Sequence, residues 1–268
     1  LEDRLVSTVA RVCDRVEHAF SEAYGRDLTG LTLVQTGSWV GGDRDGNPFV
    51  TPEITVSAAR RNSYAVIQHY ATALDDLIER LSLSETISAA PEELRTSLER
   101  DREMLPAVWQ EHHRRDRDEP VRLKLSFMRA RLRHLLEAIA TRRQSDPKTP
   151  PGAYRTVDEF ELDLRLIDGV LEATGALHAR QTTLQPLLER LRIHGFFGYR
   201  LDIREDSEAH TNALEEVARV VGIDGLDTAN LERELLGRRP LLSRHLPLSE
   251  ATSRTIAVFD VIDQVQTE

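Results

Sequence analysis

A glycine-rich segment at residues 37–48 is the most informative part of this chain. It reads Gly37-Ser38-Trp39-Val40-Gly41-Gly42-Asp43-Arg44-Asp45-Gly46-Asn47-Pro48. Glycines permit backbone angles that other residues resist, and the segment has little apolar surface to bury. It therefore brings backbone and opposite charges together at one point, which indicates a chemical role.

The flanking residues predict a strand before this segment and a helix after it. The run 31–36 is rich in residues that favour a pleated surface. Thr51-Pro52-Glu53 supplies an N-cap, a proline at the first helical position and an acid in the first turn. A second strand is predicted within 195–204, where apolar and polar residues alternate from Phe197 onward.

Apolar residues spaced by three and four predict helices over most of the remaining chain. The predicted helices are 2–24, 51–81, 90–105, 120–141, 156–172, 175–194, 207–221, 231–236 and 248–265. Pro106 is expected to bend or end the third of them and Pro186 to kink the sixth. Residues 144–152, with three prolines, predict a loop. The fold class is mainly α with two short strands, in one mostly helical unit over residues 1–268.

The composition argues against a nucleic-acid-binding protein, a membrane protein and a disulfide-bonded protein. A net charge of −10 disfavours non-specific nucleic-acid binding. No apolar run approaches the length needed to span a bilayer, and no signal-peptide pattern is recognisable. The single cysteine, Cys13, excludes an internal disulfide and a multi-cysteine metal cluster. We expect a cytoplasmic protein with neither membrane nor nucleic-acid partners, cut from a longer polypeptide.

Both predicted strands end in charged residues. The first leads to Asp43-Arg44-Asp45 and the second to Asp202 and Arg204. Loops after the strands of a β/α barrel carry the active site, and an arginine there is a planar donor fork for phosphate or carboxylate. Three other interpretations stay open: a simple tight turn, a structural ion-pair cluster, and local pairing of Arg204 with Glu205 or Asp206.

Three segments of the chain resemble phosphoenolpyruvate carboxylases. Residues 37–51 resemble the family's Ser-Trp-Met-Gly-Gly-Asp-Arg-Asp-Gly-Asn-Pro-x-Val-Thr segment. Residues 201–210 are similar to its Leu-Asp-Ile-Arg-Gln-Glu-Ser-x-x-His segment, and residues 237–242 to its Gly-(Lys/Arg)-Arg-Pro-Leu-Leu turn. The segments occur in the family's order.

The resemblance implies a fold, a reaction and partners. The fold is a (β/α)8 barrel with many additional helices, of which this chain is a fragment. The reaction adds bicarbonate-derived carbon to phosphoenolpyruvate and gives oxaloacetate and phosphate. The full-length enzyme uses Mg²⁺ or Mn²⁺, with ligands outside this fragment, and is a cytoplasmic homotetramer under allosteric control.

The resemblance also implies roles for residues. Arg204 matches the family arginine that contacts the substrate, and Arg44 is the second candidate for substrate binding. The supporting residues are Gly41, Gly42, Asp43, Asp45, Asn47 and Asp202. No catalytic residue and no metal ligand is assigned within the chain.

The chain departs from the family pattern in two respects. Glu205 stands where the family commonly has Gln, which adds a negative charge beside Arg204. The family's catalytic histidine lies in a Thr-Ala-His-Pro-Thr segment, and no such segment occurs here. We therefore expect the isolated chain to be inactive. The alternative is a non-catalytic helical scaffold or regulatory module derived from this family.

Two acidic stretches are interpreted as solvated. His112 and His113 stand among acids and arginines at 111–119, and a charged connector is favoured there over a metal site. Glu159, Glu161 and Asp163 follow the Thr156 cap, so a helix with a solvated acidic edge is favoured.

Overall fold

The structure is a computed structural model and describes residues 2–26, 28, 34–86, 89–141, 150–223, 225–237, 242 and 245–267. The described chain is mainly helical, as predicted. Its helices are α1 (Glu2–Tyr24), α2 (Pro52–Arg80), α3 (Glu92–Met104), α4 (Pro106–His112), α5 (Pro120–Thr141), α6 (Val157–Ala173), α7 (Leu177–Ala179), α8 (Gln185–His194), α9 (Ser207–Val221), α10 (Thr228–Leu236) and α11 (Glu250–Thr267). Its strands are β1 (Gly37–Ser38) and β2 (Arg200–Leu201).

Local signals set several helix ends. The Thr156 side chain accepts a hydrogen bond from the Glu159 backbone N–H at the start of α6, which is the N-cap half of the predicted capping box, while the Glu159 carboxylate accepts from the Arg155 N–H. Asp206 caps α9 in the same way, and Gly222 ends that helix with φ of 77°. Pro106 begins α4 and so separates it from α3. The predicted loop at 144–152 lies mostly outside the described residues.

The helix predicted at 175–194 is interrupted. A π-helical turn, Arg180–Leu184, lies between α7 and α8. Pro186 explains the change of register, because it has no N–H to donate to the carbonyl four residues earlier. The Asp168 carboxylate accepts from Arg180 Nε at 2.8 Å and from Gln185 Nε2 at 2.8 Å, which ties the turn to α6.

Both strands differ from their predicted limits. Much of the run 31–36 lies outside the described residues, and residues 34–36 are not in a strand; β1 begins at Gly37. The second strand is confined to Arg200 and Leu201. Residues 195–199 form turns instead, because Gly195 and Gly198 adopt φ of 52° and 77° and Gly198 N–H bonds to the His194 carbonyl. The family-like turn at 237–242 lies largely outside the described residues.

The chain divides into two compact units. The first unit comprises Leu1–Thr36 and Arg60–Arg200, and the second comprises Gly37–Ala59 and Leu201–Glu268. The chain passes between them at three points: at the start of β1, within α2 and within β2. Whether the whole chain acts as one domain stays a prediction.

Tyr70 lies at the centre of the first unit's apolar core. Its ring is fully buried and lies 6.0 Å from the Phe160 ring and 6.5 Å from the Phe196 ring. Its hydroxyl lies 2.8 Å from the Gly195 carbonyl oxygen and 3.2 Å from that of Arg190. The core thereby anchors the turn that leads into β2.

A group of buried charges joins α3, α5 and α6. Lys124 Nζ, 1% exposed, lies 2.8 Å from Asp101 and 2.7 Å from Asp163. Tyr154 donates to Asp163 at 2.7 Å, and Arg131 lies 3.3 Å from the same carboxylate. The predicted solvated edge of α6 is thus wrong at Asp163, because α5 brings two cations against it.

The predicted solvated connector at 111–119 is also wrong at two positions. Asp116 is fully buried and His112 is nearly so. Arg115 donates to Asp116 at 2.9 Å, which compensates the buried carboxylate. Burial lowers the pKa of His112 from its usual value, and the neighbouring carboxylates of Glu111 and Asp116 oppose that shift.

In the second unit, α9 packs against α11. The Glu216 carboxylate accepts from Ser249 N–H at 2.7 Å and Ser249 Oγ at 2.6 Å, and it also contacts the Thr252 hydroxyl. These hydrogen bonds lower the pKa of Glu216 to about 2. They join α9 to the first turn of α11.

Candidate functional site

The two family-like segments at 37–48 and 201–206 meet along parallel backbone pairing within the second unit. Asp202 N–H bonds to the Ser38 carbonyl at 2.9 Å. Further on, Arg204 N–H bonds to the Gly42 carbonyl and Arg44 N–H bonds to the Arg204 carbonyl, both at 2.9 Å. The backbones of Arg44 and Arg204 are therefore held side by side at the ends of the two strands.

Glycines make this approach possible. A Cβ atom added at Gly42 would lie 2.3 Å from the Asp202 carbonyl oxygen. One added at Gly41, which has φ of 83°, would lie 2.5 Å from the Ala58 Cβ on α2. Gly42 thus admits the second strand and Gly41 admits the helix, so any larger side chain would separate these elements.

The Arg44 side chain is buried, with 9% exposed. Its Nε donates to the Val50 carbonyl at 3.0 Å, and its Nη2 donates to Thr55 Oγ1 at 3.0 Å. Thr55 Oγ1 also lies 2.7 Å from the Gly41 carbonyl oxygen. Arg44 therefore ties the glycine segment to the first turn of α2.

The Arg44 guanidinium is not completely satisfied by these bonds. Among the described residues, nothing hydrogen-bonds to its buried Nη1. Burial lowers the pKa of Arg44 from its usual value, and the negative charges of Glu205 and Glu53 oppose that shift. Glu205, the departure from the family pattern, thus acts on Arg44 as an electrostatic partner.

Arg204 has the opposite environment, with 52% of its side chain exposed. Its guanidinium carbon lies 5.5 Å from the centroid of the Trp39 ring. Its Nη2 lies 3.7 Å from Asp202 Oδ2, whose side chain is 53% exposed. Among the described residues, Arg204 forms no ion pair within 4 Å with Glu205 or Asp206; its paired carboxylate is that of Asp202, and Asp206 accepts from Glu208 N–H as the cap of α9.

The other predicted supporting residues shape the loop. Asp43 forms the bridge to Arg204, and its buried Oδ1 has no hydrogen-bond partner among the described residues. Asn47 Oδ1 accepts from the Phe49 N–H at 3.1 Å. Asp45 is exposed in the turn between them. The site residues therefore lie in one loop and one strand end.

Sequence reasoning did not single out Trp39 or Thr55. A tryptophan inside a glycine-rich turn, 57% exposed in the structure, was the available signal for Trp39. Thr55 carries no comparable signal. Its position in the first turn of α2 does not by itself decide whether its hydroxyl is buried or faces solvent.

The described residues contain no group of three or more His, Cys, Asp or Glu side chains that could hold a metal ion. In the part of the chain that the structure describes, no helix is long and apolar enough to cross a membrane.

Comparison with known proteins identifies the family. Residues 1–268 match the family model described as phosphoenolpyruvate carboxylase. The chain is 36% identical over 248 residues to the phosphoenolpyruvate carboxylase of Thermosynechococcus vestitus, covering 87% of this chain and 24% of that protein. It is 36% identical over 249 residues to that of Synechocystis sp., covering 87% and 24%.

A third relative matches along the entire chain. The phosphoenolpyruvate carboxylase of Prochlorococcus marinus (strain SARG) is 33% identical over 288 aligned residues, covering 100% of this chain and 28% of that protein. The chain thus spans about a quarter of the length of the curated relatives it matches. It belongs to the phosphoenolpyruvate carboxylase family.

Proposed function

We propose that the full-length protein carboxylates phosphoenolpyruvate with bicarbonate, giving oxaloacetate and phosphate, and that this chain supplies part of its substrate-binding surface. Membership of the family supports the reaction, because the relatives carry the name of that enzyme. The exposed guanidinium of Arg204 supports the proposal that this chain contributes to substrate binding.

The observation that carries the site is an exposed arginine on a fixed backbone. Arg204 bonds through both its N–H and its carbonyl to the glycine segment, so its Cα is held on two sides. Phosphoenolpyruvate carries a phosphate and a carboxylate, and a guanidinium can donate two parallel hydrogen bonds to either. The same fixed positive charge stabilises the negative charge that develops during phosphoryl transfer and on the enolate.

Arg44 is proposed to act beside Arg204, chiefly as a support. Its bonds to Val50 and Thr55 favour that role, since they occupy two sides of the guanidinium. Its Nη1 has no hydrogen-bond partner among the described residues but is buried, so the predicted substrate contact would first have to expose that atom. Arg44 gives the scaffold alternative its best support, because its side chain bonds to Val50 and Thr55 within the second unit rather than facing a ligand.

The proposal includes features that lie beyond this chain. They are a (β/α)8 barrel in which β1 and β2 are two of the strands, Mg²⁺ or Mn²⁺ held by residues elsewhere in the polypeptide, and a cytoplasmic homotetramer under allosteric control. The metal ion would supply Lewis-acid stabilisation of the transferred phosphoryl group and the enolate.

Replacing Arg204 in the full-length protein tests the site. We expect Arg204→Gln to lower kcat/KM for phosphoenolpyruvate by about 100-fold, since a preorganised charged donor is lost. Arg204→Lys should keep the charge but lose the two-point contact, so its kcat/KM should lie between those of the parent and of Arg204→Gln. Arg254→Gln, an exposed arginine on α11, is the matched control. Unchanged kinetics in Arg204→Gln would support the scaffold alternative instead.

A further inference from the structure

Two exposed side chains, Trp39 and Asp202, lie close to the guanidinium of Arg204. The centroid of the Trp39 ring lies 5.5 Å from the guanidinium carbon, and Asp202 Oδ2 lies 3.7 Å from Nη2. The side chains of Arg204 and Asp202 are each about half exposed, and Trp39 is 57% exposed. These two neighbours favour one position of the guanidinium and leave much of it accessible.

We infer that Trp39 is a positioning residue for Arg204, which holds the guanidinium near the place from which it binds a two-oxygen anion. The inference rests on the proposed function, because it assigns Trp39 a role only if Arg204 contacts the substrate. The anion is a carboxylate or phosphate group that approaches the exposed part of the guanidinium.

The backbone of Trp39 is rigid enough for this role. Its carbonyl accepts hydrogen bonds from the N–H groups of Gly42 and Asp43, both at 3.0 Å. The φ of 83° at Gly41 allows the tight turn that these bonds close. The same turn places the Gly42 carbonyl on the N–H of Arg204. One turn therefore fixes the backbones of Trp39 and Arg204 relative to each other.

An aromatic ring suits this position better than an acid. The negative face of an indole attracts a guanidinium through its quadrupole and carries no net charge. A second carboxylate would compete with the anionic substrate for the same donors. Asp202 already supplies one carboxylate, so Trp39 can orient the cation without further reducing its attraction for an anion.

The test compares Trp39→Leu with Trp39→Phe in the full-length enzyme. Leucine keeps an apolar side chain without a π face, and phenylalanine keeps a weaker π face. We expect Trp39→Leu to raise KM for phosphoenolpyruvate about three- to tenfold, with a smaller change in kcat, and Trp39→Phe to stay within about twofold of the parent. In an Arg204→Gln background, which has no cation for the indole to position, Trp39→Leu should add little further loss.

A spectroscopic measurement covers the case in which Trp39→Leu folds poorly. The emission of Trp39 is the difference between the spectra of the parent and of Trp39→Phe. Titration with phosphoenolpyruvate should change that difference, and Arg204→Gln should abolish the change. The inference would be overturned by equal kinetics for the leucine and phenylalanine variants. It would also be overturned if Trp39 emission did not change on titration with phosphoenolpyruvate.

The two hypotheses fail in distinguishable ways. If Arg204→Gln leaves kcat/KM unchanged, the proposed substrate site is wrong. If Arg204→Gln costs activity while Trp39→Leu matches the parent, the site stands and only the positioning role of Trp39 is wrong.

Discussion

Arg44 and Arg204 are neighbours through their backbones, yet their side chains take opposite environments. The Arg44 N–H bonds to the Arg204 carbonyl at 2.9 Å. Arg44 is 9% exposed and bonds to Val50 and Thr55, whereas half of the Arg204 side chain is exposed. The two arginines therefore differ in role: Arg44 stabilises the loop, and Arg204 presents its charge to solvent.

Glu205 links these two environments, because it follows Arg204 and acts electrostatically on Arg44. We expect Glu205→Gln in the full-length enzyme to lower KM for phosphoenolpyruvate about two- to threefold, most clearly at low ionic strength, since a negative charge near an anion site is removed. Steady-state kinetics at two salt concentrations provide the measurement.

The charge-matched control is Glu215→Gln, an exposed position more than two turns along α9. It should leave KM unchanged. A rise of KM in Glu205→Gln would instead mean that the support of Arg44 by Glu205 outweighs its repulsion of the substrate.

At the level of elements, the glycine segment is defined by how closely it lets β2 and α2 approach. The free space at Gly42 and Gly41 is occupied by Asp202 backbone and Ala58. This packing explains why the segment has glycines at positions where no functional group is needed.

Gly42→Ala should lower the free energy of unfolding by about 1–3 kcal/mol, because the added methyl group meets backbone that cannot rotate away. Gly169→Ala on α6 is the control, since a Cβ there meets nothing within 4 Å. It should raise the free energy of unfolding by about 0.5–1 kcal/mol. Urea denaturation of the 268-residue chain measures both; a neutral Gly42→Ala would contradict the close approach.

The buried charges between α3, α5 and α6 are a second feature at this scale. Lys124→Met should lower the free energy of unfolding by about 3–5 kcal/mol, because Asp101 and Asp163 would lose their shared cation inside the unit. Urea denaturation followed by circular dichroism is the measurement.

The surface pair of Arg165 and Glu161 gives the contrast, since 64% of the Arg165 side chain is exposed. Arg165→Met should change the free energy of unfolding by no more than about 0.5 kcal/mol. Equal effects of Lys124→Met and Arg165→Met would mean that burial does not determine the value of these ion pairs.

On the scale of the whole molecule, the chain spans about a quarter of the length of its curated relatives. Among its described residues there is no cluster suited to a metal ion, and its sequence lacks the Thr-Ala-His-Pro-Thr segment of the family. The strand-end site is therefore proposed to be one part of a larger active site.

The 268-residue chain alone is expected to show no carboxylase turnover. The measurement is oxaloacetate formation from phosphoenolpyruvate and bicarbonate, coupled to NADH oxidation by malate dehydrogenase. The full-length enzyme under the same conditions is the control. Turnover by the chain alone would show that the proton-transfer and metal-binding groups lie within it.

Helix positions were predictable from short-range signals. Thr156, Pro106 and Gly222 act on backbone within a few residues, so α3, α6 and α9 agree closely with expectation. The strands were less predictable, because Gly195 and Gly198 turn the chain where residue alternation favoured an extended backbone. The family was evident because fifteen consecutive residues, 37–51, resemble one motif.

The sequence by itself determined the helical class, most helix ends and the family, since each depends on local backbone preference or on a contiguous motif. Only the tertiary structure decided which charges are buried. Arg44, Asp163 and Asp116 resemble surface residues in the sequence and are enclosed, whereas Arg204 stays open beside Trp39. Burial depends on which distant segments pack around a side chain. The sequence of the glycine segment does not specify that β2 and α2 pack against it.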